Sequence, residues 1–125
     1  KKLDDILGCR RKNATFYSEH LEGVAGLTLP PLLEGATYSH YVICVKDRLG
    51  AMKALARKGI QLGQLIEYSV PHMSSYQQFA GNGKYANSLF SSQSLINLPI
   101  HAGVKENQRR QIVRSIQELF HKQEI

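Results

Sequence analysis

The amino-acid sequence predicts one domain, spanning residues 1–125, of the α/β (α+β) class. In this fold a small sheet of about three strands is covered by a first helix, a last helix and a crossover helix. Three observations favour it. A length of 125 residues fits one domain with a continuous core. Apolar residues recur at helical spacing near both ends of the chain, and short β-branched runs lie between them. The apolar fraction of 42% is ordinary for a globular domain.

The first predicted helix occupies the start of the chain and ends near Glu22 and Gly23. Its apolar positions recur at steps of three and four, and polar residues occupy the other side. No clear N-cap residue precedes it, and the chain begins with Lys1 rather than Met, so we expect a piece of a longer protein in which this helix continues upstream. The expected inner face consists of Leu3, Leu7, Arg10, Ala14, Tyr17 and Leu21.

The centre of the chain predicts two strands joined by a helix. After a connector that Pro30 and Pro31 keep from being helical, residues 38–46 are rich in β-branched and aromatic side chains and predict a strand covered on both faces. Asp47 can cap a following helix over 48–58, and a second strand is predicted over 64–69. The helix should turn Leu49, Met52, Leu55 and Ala56 inward. Short links favour a right-handed crossover between parallel strands, and other pairings stay open.

The last third of the chain predicts a loop, a short helix, a short strand and a final helix. Gly81-Asn82-Gly83 is a strong turn signal. Residues 85–94 predict a helix with Ala86, Leu89, Phe90 and Gln93 on one side, and "LINLP" a third strand. The final helix, over 105–121, has a core stripe of Gln108, Ile112, Val113, Ile116, Leu119 and Phe120, while Arg109, Arg110 and Arg114 should face water.

Charge and composition exclude several classes of function. The formal net charge is +6, but the basic residues are scattered and lack interleaved aromatic residues, so we expect no nucleic-acid partner. A polyanionic small substrate would suit the basic surface. No apolar run is long enough to span a bilayer, so we expect no membrane partner. Cys9 and Cys44 are expected to be reduced thiols of a cytoplasmic protein, and no Cys/His spacing predicts a metal site.

Five histidines are the candidates for chemistry. His20 and His121 lie near predicted helix ends and His40 precedes a strand, which indicates surface or packing roles. His72 and His101 follow predicted strands and flank prolines, where a sheet can position site residues.

Residues around His72 offer an incomplete catalytic set. Glu67 could pair with His72, but strand alternation would put Glu67 and Tyr68 on opposite faces. No nucleophile motif and no phosphate-binding glycine loop is present. Taken by themselves, the residues therefore predict no catalytic residue and give little support to a self-contained enzyme.

Five motifs in order change this interpretation. They are "RRKNATFYSEHLEGVAGLTLP", "SHYVICVKDR", "LARKGIQ", "EYSVPHMSSY" and "LINLPIHAGVKENQRRQIVRSIQEL". Together they cover almost the whole chain, and the chain resembles the C-terminal small domain of the DegT/DnrJ/StrS family of sugar aminotransferases. These enzymes have the aspartate-aminotransferase fold and depend on pyridoxal phosphate (PLP).

The resemblance implies a function that is shared between two domains. Family members move an amino group, usually from glutamate, onto a keto sugar carried by a nucleotide, and they are homodimers. The PLP lysine and the aspartate beside the pyridine nitrogen belong to an N-terminal large domain, which would be this chain's main partner. The resemblance therefore implies that this chain alone binds no PLP and is inactive.

The resemblance also implies site residues. The histidine matching His72 lies near the cofactor and the sugar in the family, and Tyr68 matches the aromatic member of a His-Tyr pair in which Glu67 replaces the histidine. We expect His72, Tyr68 and Glu67 to contact and orient the substrate. In "LPIHAG", Leu98, Pro99 and His101 are expected to be structural.

Two other functions are compatible with the sequence. The chain could be a freestanding, non-catalytic binding or regulatory module derived from the same family. A basic nucleic-acid binder is the third reading, and it rests on charge alone.

Overall fold

The computed structural model of the protein describes residues 1–121. It contains helices and strands in an order close to that expected, except that the second predicted strand is absent from the described residues and a short strand, β1, lies in the stretch expected to be a connector. The elements are α1 (Lys2–Leu21), β1 (Leu27–Thr28), β2 (Tyr41–Val45), α2 (Arg48–Ala56), α3 (Ala86–Ser94), β3 (Leu95–Leu98) and α4 (Glu106–His121), with single 3-10 turns at Val70–His72 and Gln77–Phe79.

The three strands form one antiparallel sheet in the order β1-β2-β3. The central strand β2 pairs with β3 from Tyr41 opposite Leu98 to Cys44 opposite Leu95. The α+β class is therefore confirmed, whereas the parallel crossover is wrong. Tyr41, Ile43 and Val45 are buried and the alternate residues of β2 are half-buried, so one face of this strand is fully covered and the other only partly.

The strand predicted over residues 64–69 does not form. The chain touches the sheet at Gly63, which exchanges two backbone hydrogen bonds with Asn97 (3.2 and 2.8 Å), and then leaves it. If the antiparallel register continued, residues from 66 onward would need partners at 94 and earlier positions, and those residues belong to α3. A ladder cannot extend along a helix, so the segment ends as a loop.

The core lies between the sheet and the two terminal helices. α1 contributes Ala14, Tyr17 and Leu21, as predicted, but Leu3 is 65% exposed because the first turns of α1 extend beyond the core. α4 contributes Ile112, Val113, Ile116 and Phe120. Two predictions for α4 are wrong: Gln108 is exposed and Arg109 is buried.

Helix α2 begins as predicted, with the Asp47 carboxylate accepting a hydrogen bond from the backbone N–H of Gly50 at 2.9 Å. Its buried face differs from the prediction. Arg48, Ala51 and Leu55 are buried, at spacings of three and four residues, while Leu49 and Ala56 are exposed. The rotation places a charged residue inside the fold.

Helix α3 also differs from the expected pattern. Ser92 and Ser94 are its buried residues, and Leu89 is half-buried. Phe90 is 56% exposed, and Ala86 and Gln93 are exposed as well. The helix therefore turns small polar side chains toward the sheet and leaves an aromatic ring outside. No helix within residues 1–121 combines the length and apolarity of a membrane span.

Candidate functional site

The three candidate residues lie on one loop, which we call the site loop (residues 66–72). Glu67 and Tyr68 are exposed, Tyr68 to 64%, and His72 is half-buried at the end of the Val70–His72 turn. The structure therefore carries all three on a single short segment. Over the part of the chain that the structure describes, no hydrogen bond joins Glu67 to His72, so the acid/base pair considered from the sequence does not form here.

Two buried side chains hold the site loop in place. Arg48, which is only 9% exposed, donates a hydrogen bond from Nη1 to the carbonyl oxygen of Ile66 at 2.9 Å. Ser69 is 5% exposed, and its Oγ lies 2.8 Å from His72 Nδ1 and 2.7 Å from Ser88 Oγ. Polar contacts with α2 and α3 thus fix the loop at its first residue and at its centre, and they replace the hydrogen bonds that a strand ladder would have supplied.

A further backbone contact sets the orientation of His72. The backbone N–H of His72 donates to the carbonyl oxygen of Ser69 at 2.9 Å, which closes the 3-10 turn that contains Pro71. Pro71 occupies the first turn, where its missing N–H costs nothing. The imidazole is therefore constrained both through its backbone and through Nδ1.

Sequence reasoning missed these anchoring residues. Arg48 and Ser69 carry polar side chains that a periodicity argument assigns to the surface, and Ser88 lies on the exposed part of α3. Asp47 gave a signal, because a cap at that position fixes where α2 begins and hence where Arg48 enters the fold. No comparable signal pointed to Ser69.

Burial raises the pKa of two tyrosines and one cysteine, which stay neutral near pH 7. Burial raises the pKa of Tyr17 and Tyr41 well above the ordinary value for a phenol. Burial also raises the pKa of the Cys44 thiol, against a smaller opposing effect of the Ser94 hydrogen bond, so Cys44 is a poor nucleophile. Cys44 and Cys9 are both free thiols.

The other histidines lie apart from the site loop. His20 Nδ1 contacts the carbonyl oxygen of Phe16 at 2.9 Å, and its ring stacks on the Phe16 ring at 4.1 Å. His40 and His121 are exposed. His101 lines an open cleft of about 240 Å³ together with glutamines and residues of the α2 end, and the cleft includes none of the three candidate residues. Within residues 1–121, no group of three His, Cys, Asp or Glu side chains could hold a metal ion.

Exposed apolar side chains are concentrated in the stretch of sequence that contains the site loop. Most of the large apolar residues that are exposed fall between positions 65 and 90, and we call them the apolar surface. They are Leu65, Ile66, Tyr68, Val70, Met73, Tyr76, Phe79, Tyr85 and Phe90. An apolar surface of this kind marks a place where another protein surface or a ligand binds.

Fold and site loop together define a small α+β domain that presents an apolar surface beside a fixed polar loop. Solved aminotransferases contain a domain of the same fold. The aminotransferase TlmJ from Streptoalloteichus hindustanus superposes with a TM-score of 0.84 at 19% identity, over 99% of this chain and 34% of that one. A DegT DnrJ EryC1 StrS aminotransferase from Brucella abortus superposes with a TM-score of 0.82 at 22% identity, over 94% and 32% of the two chains.

The sequence comparison extends this likeness from fold to family. The model of the DegT/DnrJ/EryC1/StrS aminotransferase family matches residues 1–117, and the chain belongs to that family. A curated relative, the dTDP-4-dehydro-2,3,6-trideoxy-D-glucose 4-aminotransferase of Saccharopolyspora spinosa, is 25% identical over 118 residues. The match covers 94% of this chain and 31% of the relative, so the chain spans about a third of that protein.

Proposed function

We propose that this chain is the C-terminal small domain of a PLP-dependent aminotransferase that acts on nucleotide-linked keto sugars with glutamate as amino donor. In this proposal the domain forms one wall of the sugar site, and Glu67, Tyr68 and His72 contact the substrate. The partner is the N-terminal large domain of the same enzyme, and the complete enzyme is a homodimer. The name of the curated relative, a 4-aminotransferase of a dTDP-linked dehydro sugar, supports this substrate class.

One observation carries the proposal: buried side chains fix the site loop from inside, and the polar groups of Glu67 and Tyr68 are exposed on it. Arg48 and Ser69 hold the loop through buried contacts, while Tyr68 and Glu67 project outward without a hydrogen-bond partner in residues 1–121. A loop that is fixed yet displays unpaired polar groups suits a ligand whose hydroxyl and phosphate groups need directed partners. The apolar surface around it suits contact with the large domain.

In this proposal PLP is held by the large domain and not by this chain. PLP chemistry needs a lysine that anchors the cofactor covalently, usually in a pocket that excludes water. Every lysine among residues 1–121 is exposed. We therefore place the cofactor in the large domain and assign this chain to substrate orientation, in which His72 and Tyr68 offer hydrogen bonds to sugar oxygens and Glu67 accepts one from a sugar hydroxyl.

Kinetics of the full-length enzyme test the proposal. We expect His72→Gln and Tyr68→Phe each to raise the KM for the keto sugar about three- to tenfold. Tyr68→Phe removes one hydrogen bond to the substrate, and His72→Gln replaces the imidazole that Ser69 holds in place with a flexible amide. The half-reaction with glutamate should keep its rate constant, since the site loop contacts only the sugar. His40→Gln, at an exposed histidine outside the loop, is the control. An unchanged sugar KM in both loop variants would contradict the assignment.

A freestanding binding module is a second candidate, and one observation favours it. The core joins β2 and β3 with α1, α2 and α4 in one cluster of buried residues, and Leu27 of β1 packs against it, so the domain has its own hydrophobic interior. We propose calorimetry of the 125-residue chain with a nucleotide sugar as the test. Binding in the absence of the large domain supports the module, and heats equal to those of dilution reject it.

A further inference from the structure

We infer that Ser69 and Ser88 are positioning residues for His72, which together form a hydrogen-bonded relay that directs Nε2 of the imidazole toward the substrate. The inference rests on the proposed function and adds two residues to it. The relay runs from Ser88 on α3, through the buried Ser69, to the histidine of the site loop.

The geometry of the relay is continuous. Ser69 Oγ lies 2.7 Å from Ser88 Oγ and 2.8 Å from His72 Nδ1, both within the normal range for hydrogen bonds that involve a hydroxyl. Ser69 is 5% exposed, so water competes little for its hydroxyl. Within residues 1–121, His72 Nε2 has no hydrogen-bond partner. Nδ1 is therefore occupied from inside the domain, and Nε2 is the nitrogen left for a ligand.

A relay made of two hydroxyl groups can run in either direction. In one arrangement Ser88 donates to Ser69, and Ser69 donates to Nδ1, so the ring proton lies on Nε2 and His72 donates a hydrogen bond to the ligand. In the other, Nδ1–H donates to Ser69 and Ser69 donates to Ser88, so Nε2 accepts. Both arrangements keep the imidazole neutral and every inner hydrogen bond intact.

This freedom matters because the two states of a sugar substrate differ in what they offer. A carbonyl oxygen accepts hydrogen bonds only, whereas a hydroxyl or an amine can also donate. An imidazole locked with its proton on Nδ1 could not donate to the carbonyl oxygen, and one locked with its proton on Nε2 could not accept from the hydroxyl or the amine. The relay allows His72 to match both without becoming charged and without leaving Nδ1 unpaired in a half-buried position.

Nuclear magnetic resonance of protein labelled with ¹⁵N-histidine tests the relay directly. His72 is assigned from the signals lost in His72→Gln. We expect Ser69→Ala to shift the Nδ1 and Nε2 resonances of His72 toward those of an imidazole free in water, because Nδ1 loses its inner partner. Ser88→Ala should shift them in the same direction by less, and Ser88→Thr, which keeps a hydroxyl, should restore the original values. Ser91→Ala, on the same helix, is the matched control.

The variants at position 88 keep the test decisive if Ser69→Ala fails to fold, since Ser88 is exposed on α3. A His72 spectrum that is the same in Ser88→Ala, Ser88→Thr and the original protein overturns the relay beyond Ser69. A spectrum unchanged by Ser69→Ala overturns it completely. A shift that the threonine hydroxyl reverses supports it, because a change in packing alone would not be rescued in this way.

Kinetics of the full-length enzyme separate this inference from the proposed function. Ser69→Ala should raise the sugar KM about three- to tenfold, and should have no further effect in a His72→Gln background, because both changes remove the same interaction. If the spectra shift as expected but His72→Gln leaves the sugar KM unchanged, the relay stands and the substrate role fails. If His72→Gln raises the KM while the serine variants leave both spectra and KM unchanged, only the relay fails.

Discussion

At the scale of single residues, polar side chains buried between α1 and α4 connect the elements of this domain. Asn13 donates from Nδ2 to the carbonyl oxygens of Ile100 and His101, both at 3.1 Å, and its Oδ1 accepts from Arg109 Nη1 at 2.6 Å. The Arg109 guanidinium also lies 5.1 Å from the centre of the Phe16 ring. The partners of Arg109 are thus a neutral amide and an aromatic ring, and within the described part of the chain Arg109 forms no ion pair.

Tyr17 joins α1 to the loop after β3, and its burial makes the domain lose stability at alkaline pH. Its hydroxyl donates to the carbonyl oxygen of Pro99 at 2.7 Å, and burial raises its pKa above the ordinary value of 10.0. The folded state therefore holds this proton more tightly than the unfolded state. Stability from Tyr17 is complete below the unfolded pKa, and it is lost as the pH rises past 10 toward the folded pKa.

We therefore expect the free energy of unfolding to fall between pH 10 and pH 12, and to fall less steeply in Tyr17→Phe. That variant loses the bond to Pro99, so it should also be about 1–3 kcal/mol less stable at pH 8. Urea titrations across this pH range measure both effects. Tyr41→Phe should flatten the curve as well, because burial also raises the Tyr41 pKa. Parallel pH curves for Tyr17→Phe and the original protein would contradict the prediction.

Arg109 also shows what residue-level prediction from sequence can and cannot reach. The stripe of Ile112, Val113, Ile116 and Phe120 was correct, because apolar residues at helical spacing have one favourable place. An arginine beside that stripe has two favourable places: the solvent, or the interior beside a hydrogen-bonding partner. The choice depends on Asn13, which lies 96 residues away in sequence, and helical periodicity contains no information about such a partner.

At the scale of elements, the site loop owes its position to side chains rather than to a strand. A strand was expected over residues 64–69, but a strand also needs a neighbouring strand with free backbone groups. β2 and β3 were predictable because each has a neighbour within the sheet. The path of the loop depends on where α3 ends and on the hydrogen bonds of Arg48 and Ser69. These are tertiary contacts, which a local sequence pattern does not predict.

Removing the Arg48 anchor should loosen the loop without dismantling the fold. Arg48→Met keeps a long side chain for packing but deletes the hydrogen bond to the carbonyl oxygen of Ile66. A single hydrogen bond corresponds to about a three- to tenfold change in a local opening equilibrium. We expect chymotrypsin to cleave after the exposed Tyr68 faster by about this factor. Arg57→Met, on the exposed end of the same region, is the control, and equal cleavage rates in both variants would exclude the anchoring role.

At the scale of the whole molecule, the distribution of apolar residues is uneven. The buried apolar residues of the helices and strands form one core. Several aromatic side chains between positions 65 and 90 are exposed instead, and Phe79 is 76% exposed. A domain that spans about a third of its curated relative, as this chain does, has a large surface that the rest of such a protein can cover. The α+β class of the domain followed from sequence patterns and family motifs, but its antiparallel topology and the extent of this surface could be seen only in the structure.

The apolar surface should make the isolated 125-residue chain associate with itself as concentration rises, because burying exposed aromatic rings is favourable whichever surface covers them. Phe79→Ser should weaken this association roughly tenfold or more, which corresponds to about 1.5–3 kcal/mol for one buried aromatic side chain. Sedimentation velocity over a range of concentrations measures it. Leu33→Ser is the matched control, since Leu33 is 62% exposed but lies outside the surface. If the chain stays monomeric at every concentration, or if both substitutions weaken self-association equally, the apolar surface does not mediate self-association.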